Sequence, residues 1–414
     1  MKKSKFNRSI KCIALPIVLI VYFLSGYIFV SKLYDNRKQK RSTTPLQFID
    51  NLWIGKNLKA LKNSTFKNLS FKNETEFKNE SSRSPNLEEP NNMNKTEFEH
   101  KRKRKLFLEM ADINKTVKNI FFVESRCSTE KMLKGYADNK GLVLTARQSC
   151  AVESTAVTNP DRTVFVFHSC PLEDDFLHHS PQYVVRLFSY PNVHVVRLNN
   201  SLVFDGSPVQ RLFEDRLLEN SSFPVEHSSD IIRLVLLWRF GGTYCDLDVV
   251  TIRSLEGLRS NWAGAEDEES VATGVMNFDH QGAAHDMLQR MLEHINQHYD
   301  RNGWTSNGPW LMTTFVIREC NISQVREAES HCLLDFTVYK SYILYPIHYS
   351  QVHQLFVPHL GSQTARNVKT SSYSVHMWNK ISHDMPVFVG STQGYALLAD
   401  QFCPNVYRSC GTLF

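Results

Sequence analysis

No stretch of the chain narrows its folding options as much as residues 227–250, HSSDIIRLVLLWRFGGTYCDLDVV. Between Ile231 and Trp238 only Arg233 is not apolar. A helix that is apolar nearly all round has to be buried, and Gly241-Gly242 supplies its C-terminal stop. A strand is expected next, over 243–250, where Tyr244, Cys245, Val249 and Val250 read as buried and frame Asp246 and Asp248. Residues i and i+2 of a strand point the same way, with Cα atoms roughly 6.6 Å apart. Two like charges in such surroundings are costly without a counter-cation. Asp246 and Asp248 are therefore candidate ligands of one hard cation of the Mg²⁺ or Mn²⁺ kind. The plainer alternative is a solvated strand face with two scattered acids.

The flanking sequence supplies the sheet around this unit. Asn119-Ile-Phe-Phe-Val-Glu-Ser125, Thr163-Val-Phe-Val-Phe167 and Asn192-Val-His-Val-Val-Arg-Leu198 read as buried strands. Ala146–Thr158 is a helix pattern closed by Asn159-Pro160, and Asp230–Phe240 is the buried helix. Strands alternating with helices predict an α/β fold with a mostly parallel sheet. In such sheets ligands sit at the carboxyl ends of the strands, where Asp246 and Asp248 would lie.

Ahead of this region the chain has a different character. Residues 12–30, CIALPIVLIVYFLSGYIFV, carry no charge and as a helix would span about 28 Å, enough for a bilayer core. Basic residues flank the run on both sides, so the positive-inside rule does not orient it. The sequons do. Asn63, Asn68, Asn73, Asn79, Asn94, Asn114, Asn199, Asn220 and Asn321 all open Asn-X-Ser/Thr triplets after the apolar run, which predicts N-glycosylation of a luminal C-terminal portion. The expected organisation is a cytosolic tail (1–11), a transmembrane signal-anchor (12–30), a flexible glycosylated stem (31–115) and a folded domain (116–414). The stem is rich in Asn, Lys, Glu and Ser and cannot bury enough apolar surface to offset its ordering entropy. Its basic run Lys101–Lys105 reads as a solvated linker or a shedding site. Net charge is +6, but no basic groove interleaved with aromatics follows, so nucleic acid is not expected as a partner. Eight cysteines lie beyond the apolar run, with Cys320–Cys332 and Cys403–Cys410 the shortest candidate disulfide loops.

Other constellations carry weight only in combination. Asp230 and Arg233, three apart, share a helix face; they are either a buried structural ion pair or a ribose and phosphate contact, for which the guanidinium fork is suited. His376, Trp378 and Lys380 together offer a third metal ligand, an aromatic wall and a diphosphate contact. Asn307-Gly308-Pro309 reads first as a turn, and Glu266-Asp267-Glu268-Glu269 as a loop within reach of an acceptor. There is no Ser-His-Asp order, nucleophile elbow or P-loop, and no residue announces itself as a nucleophile.

The ordered set Asp230-x-x-Arg233, Gly241-Gly242-x-Tyr244-x-Asp246-x-Asp248 resembles the core of DxD-containing sugar-nucleotide glycosyltransferases of GT-A fold. With Phe121–Glu124, Arg147–Ser154, Asn307–Pro309, Tyr345–Ile347, Val375–Lys380 and Cys403-Pro404, it is similar to the α-1,4-glycosyltransferase family that includes the globotriaosylceramide synthases. The resemblance implies a GT-A domain of a type II Golgi membrane enzyme that uses a UDP-sugar and Mn²⁺ (or Mg²⁺) and retains configuration. It implies Asp246, Asp248 and His376 at the metal, and Asp230, Arg233, Tyr244, Glu124, Trp378 and Lys380 at the donor. Asn307 and Gly308 become acceptor-side candidates. UDP-Gal or UDP-GalNAc would be the donor and a glycosphingolipid the acceptor, at the Golgi membrane. The rival readings are an α-1,4-N-acetylglucosaminyltransferase of O-glycans and a catalytically silent Golgi binding protein of the same fold. The chain departs from the family at Thr273-Gly274, where Asn-Gly is expected, a position that bears on Gal versus GalNAc.

Overall fold

A computed structural model describes residues 107–136, 140–328 and 335–414. The expected tail, membrane anchor, basic run and sequons at Asn63, Asn68, Asn73, Asn79 and Asn94 lie outside these residues. Among the described residues no helix is long and apolar enough to cross a membrane. The four described sequon asparagines, Asn114, Asn199, Asn220 and Asn321, are all exposed.

The strands are β1 (Phe107–Leu108), β2 (Asn119–Glu124), β3 (Thr163–His168), β4 (Val193–Arg197), β5 (Gly242–Cys245), β6 (Val249–Thr251), β7 (Trp262–Ala265), β8 (Val271–Phe278), β9 (Thr337–Tyr339) and β10 (Ser374–His376). Eight of them form one sheet in the order β1-β4-β3-β2-β5-β8-β7-β9. Its pairings are parallel except where β8 runs antiparallel to β5 and β7. The mostly parallel α/β sheet expected from sequence is what forms. It starts earlier than residue 116, because β1 already pairs with β4.

The main helices are α1 (Ala146–Thr158), α2 (Pro224–Phe240), α3 (Ala283–His298), α4 (Pro309–Glu319), α5 (Pro358–Ser371), α6 (Asn379–Ser382) and α7 (Gly394–Phe402). Strand alternation assigns them to two layers. Ile120 and Phe122 pack into the core that holds α1, α5 and α7, while Phe121 and Val123 pack into the core that holds α2, α3 and α4. Helix α2 opens on Pro224 at its first turn, a position that needs no N–H donor. It ends at Gly241, φ 64°. Gly242 follows at φ 113°, and a Cβ there would come within 2.5 Å of the Asn119 carbonyl oxygen. Only glycine lets β5 enter the sheet beside β2 at this point.

Two expectations need correction. The strand expected over 243–250 is two strands: β5 stays in the main sheet, while β6 leaves it to pair antiparallel with β10. Asp246 and Asp248 therefore stand in the turn between them, closed by the Val249 N–H donating to the Asp246 carbonyl at 3.1 Å. The short disulfide Cys403–Cys410 does not form. Cys403 bonds Cys150 of α1, with Cα atoms 5.1 Å apart, and Cys410 is free; packing of the C-terminal helices on α1 outweighs nearness in sequence. Cys127–Cys170 ties the ends of β2 and β3 together. Cys320 is disulfide-bonded, to a partner outside the described residues.

Candidate active site

The carboxyl ends of β2 and β5, the start of β8, the N-terminal half of α2 and the segment after β10 surround a cleft of about 760 Å³. Asp246 sits at its floor. Its Oδ1 accepts from the Tyr244 hydroxyl at 2.6 Å and lies 3.2 Å from an Arg233 amine, and its Oδ2 lies 3.6 Å from His376 Nε2. Asp248 lies on the other side of the imidazole, with Oδ1 3.3 Å from His376 Nε2 and Oδ2 accepting from the Asn379 N–H at 2.7 Å. The pairing of β6 with β10, with His376 opposite Val249, puts the histidine there. The Trp378 N–H donates to Nδ1 at 3.1 Å, which leaves Nε2 facing the carboxylates.

These three side chains fit a divalent cation. One ligand atom from each lies within 4.8 Å of the others, and two carboxylates with an imidazole suit Mn²⁺ or Mg²⁺ by donor type. The absence of a side chain at Gly274 keeps the space open: a Cβ there would lie 2.8 Å from Asp246 Oδ2 and 3.2 Å from His376 Nε2.

The charges around the cluster are only partly balanced. Asp230 bonds Arg233 at 3.0 Å, yet burial, with Arg233 opposing it, pushes its carboxyl up to about 6. Burial also raises Asp248, partly offset by His376 and reinforced by Asp246. Asp246 would be raised by burial too, but Arg233, then His376 and Tyr244, hold it below the usual carboxylate range. Arg233 lies over the Tyr244 ring, 4.5 Å from its centre, and donates to the carbonyl of Thr273 at 3.1 Å. Thr273, the point of departure from the expected Asn-Gly, itself lines the cleft.

The remaining candidates fall in or beside the cleft with unequal freedom. Glu124, at the end of β2, is gripped by Arg126 through both carboxylate oxygens at 3.0 and 2.9 Å. Trp378 lines the wall, its ring 4.2 Å from His376 and its Nε1 donating to the Ile347 carbonyl. Lys380 reaches over Trp304 and pairs with Glu226 at 2.8 Å. Gly308 lies against the Asp230 carboxylate, where a Cβ would come within 2.8 Å. Asn307 spends its amide on the backbone of Asp300, so its side chain shapes the turn. Sequence reasoning missed Arg126, Glu226, Trp304 and Tyr349, all in the cleft lining. Only Arg126 carried a signal, as a base two residues beyond the buried Glu124.

Two family models match the chain. Residues 145–268 match the glycosyltransferase sugar-binding region containing the DXD motif, and residues 280–410 match the alpha 1,4-glycosyltransferase conserved region. Mouse lactosylceramide 4-alpha-galactosyltransferase is 25% identical over 260 residues, covering 63% of this chain and 70% of that protein. Human alpha-1,4-N-acetylglucosaminyltransferase is 26% identical over 267 residues, covering 63% and 75%. Among solved structures, galactosyltransferase LgtC in complex with donor and acceptor sugar analogues aligns over 70% of this chain and 95% of its own, at 14% identity and a TM-score of 0.30. The first family model spans the DxD turn and the second spans His376, Trp378 and Lys380. Across these two regions the chain resembles the α-1,4-glycosyltransferase family.

Proposed function

We propose that this chain transfers galactose or N-acetylgalactosamine from a UDP-sugar, in α-1,4 linkage and with retention, onto a glycosphingolipid acceptor at the Golgi membrane. The observation that carries the reading is the pairing of an Asp246–Asp248–His376 cluster with the buried Asp230–Arg233 pair on one cleft floor. A bound Mn²⁺ would neutralise charge that develops on the departing UDP. The chain's own residues do the rest. Arg233, buried and permanently charged, presents fixed positive charge to a diphosphate, and such preorganised charge is most effective where charge builds in the transition state. Asp230 is placed to accept from a ribose hydroxyl, and Tyr244 holds Asp246 in orientation. Trp378 shields one wall from water. Lys380 exchanges its partner Glu226 for phosphate when the donor enters. The uncharged, mostly apolar run at 12–30 and the sequons after it support a type II topology with this domain luminal.

The test is transfer by the full chain, with Mn²⁺, from UDP-Gal, UDP-GalNAc and UDP-GlcNAc to lactosylceramide and to a core O-glycan. The expected result is α-linked product on the glycolipid with one of the first two donors, lost on chelation and restored by Mn²⁺. Product only from UDP-GlcNAc on the O-glycan would replace the proposal with the activity named for the human N-acetylglucosaminyl relative. No transfer to any acceptor would sink it.

A further inference from the structure

The cleft extends past the cation cluster to a carboxylate that the donor does not account for. Along the carboxyl edge of the sheet, β2 with Glu124 and Arg126 lies on one side of β5, and β8 and β7 lie on the other. Because β7 is antiparallel to β8, and β8 to β5, the end of β7 reaches the same edge as Asp246. Glu266 is the next residue after β7 and lines the cleft. Its strand is two places from β5, roughly 10 Å along the sheet. Within the run Glu266–Glu269 it alone faces inward. Asp267 is used up capping its own turn through Glu269 and Ser270, and Glu268 pairs outward with Arg326.

The Glu266 side chain is only 16% exposed, and His348 Nε2 stands 3.9 Å away. No hydrogen bond to its carboxylate is made among the described residues. Burial raises its pKa, and Asp267 adds to that. Desolvated carboxylates of this kind are ordinarily paired. Between Glu266 and the cation cluster the wall is aromatic: His376 lies 4.2 Å from Trp378, Trp378 5.9 Å from Tyr349, and Tyr349 4.0 Å from His348. Tyr349 is 45% exposed. An apolar ring surface beside a carboxylate that no described protein donor bonds matches a sugar, which has one apolar face and a rim of hydroxyl donors.

We propose that Glu266 binds the acceptor sugar, its carboxylate accepting from acceptor hydroxyls while Tyr349 and Trp378 carry the apolar face of the ring. This rests on the transferase reading and extends it to a residue that neither family motif assigns. It places the donor over β2 and β5 and the acceptor over β8 and β7, with the cation cluster between.

The test separates acceptor from donor in the full chain, using the donor and acceptor pair that the panel assay identifies, with lactosylceramide in mixed micelles as the expected acceptor. Glu266→Ala is expected to raise the acceptor KM by at least about ten-fold, the loss of hydrogen bonds to a charged group. The Kd for UDP with Mn²⁺ should change by less than about two-fold, since UDP touches the other half of the cleft. Glu266→Gln, close to isosteric, keeps one acceptor oxygen and should recover part of the loss, which a folding defect would not produce. Transfer with an unchanged acceptor KM in both variants, or a UDP Kd that rises in step with it, overturns the assignment. No transfer by the unaltered protein removes the transferase reading itself, and the assignment with it.

Discussion

Two buried histidines end two strands of this fold, and their surroundings push them in opposite directions. His168 closes β3, only 1% exposed, with Nε2 accepting from the Val143 N–H at 3.3 Å and Nδ1 3.1 Å from the Cys170 carbonyl. Burial, with Arg126 adding to it, depresses its pKa to about 4. His376 closes β10 at 8% exposure. Burial alone would lower it as well, but Asp248 and Asp246 more than reverse that and raise it. The β3 end is finished: both nitrogens of His168 have their partners and burial keeps the imidazole neutral. At the β10 end there are three carboxylates and one guanidinium: Asp230 and Asp246 contact Arg233, while Asp248 faces His376. Two negative charges then remain when His376 is neutral. A dication would complete that region, and the contrast separates structural burial of ionisable groups from burial suited to a ligand.

Removing one ligand breaks the comparison most directly. Asp248→Ala is expected to lower kcat/KM by at least about 100-fold, the scale on which loss of preorganised charge stabilisation is felt, and to abolish Mn²⁺ binding in calorimetric titration. Unchanged activity would show that the β10 end is as closed a structure as the β3 end.

The β3 end makes its own prediction, of similar size but on stability. An unfolded chain protonates His168 near pH 6.5, whereas the fold holds it to about 4. The stability from the neutral imidazole is therefore full above about pH 6.5 and is lost as pH falls towards 4, an advantage of about 3 kcal/mol. In urea unfolding, the margin of the unaltered protein over His168→Gln should shrink by about that amount between pH 7 and pH 4. A margin independent of pH would mean that the imidazole is not kept neutral by burial.

How much of this was legible in sequence depended on how local the determinant was. Helix α1 begins and ends where the sequence places it because its signals are adjacent: Thr145 and Gln148 form a capping box, and Asn159-Pro160 stops the helix. Helix α2 was legible from Asp230 onward, where the apolar run starts; its first turns, Pro224 to Ser229, are polar and gave no periodicity. The DxD pair was visible, but its backbone was not. What bends the chain into a turn at Leu247 is the pairing of Val249 with His376, a partner far away in sequence. The same holds for Cys150–Cys403. The antiparallel β8, buried on both faces, shows no alternation that would reveal its direction. Tyr349 entered the cleft through such non-local packing and no motif announced it, whereas Glu266 stood out in sequence only as one acid of the loop Glu266–Glu269.

The finest test of the contrast adds a methyl group without touching any charge. Gly274 lies in β8, and a Cβ there would come within 2.8 Å of Asp246 Oδ2 and 3.2 Å of His376 Cδ2 and Nε2. Its φ lies outside the left-handed region, so the backbone tolerates alanine, and what must yield is the carboxylate and the imidazole. Displacing ligands by a few tenths of an ångström leaves the core packing intact but spoils their convergence on a cation. Gly274→Ala should therefore weaken Mn²⁺ affinity by about ten-fold, within the range seen when ligand orientation is disturbed. Its metal-free melting temperature should move little, because the added methyl meets Asp246 Oδ2 while Oδ1 keeps its bonds to Tyr244 and Arg233. If the melting temperature fell and the Mn²⁺ affinity held, the carboxylates would be packed parts of the structure, and the two histidine environments would be alike after all.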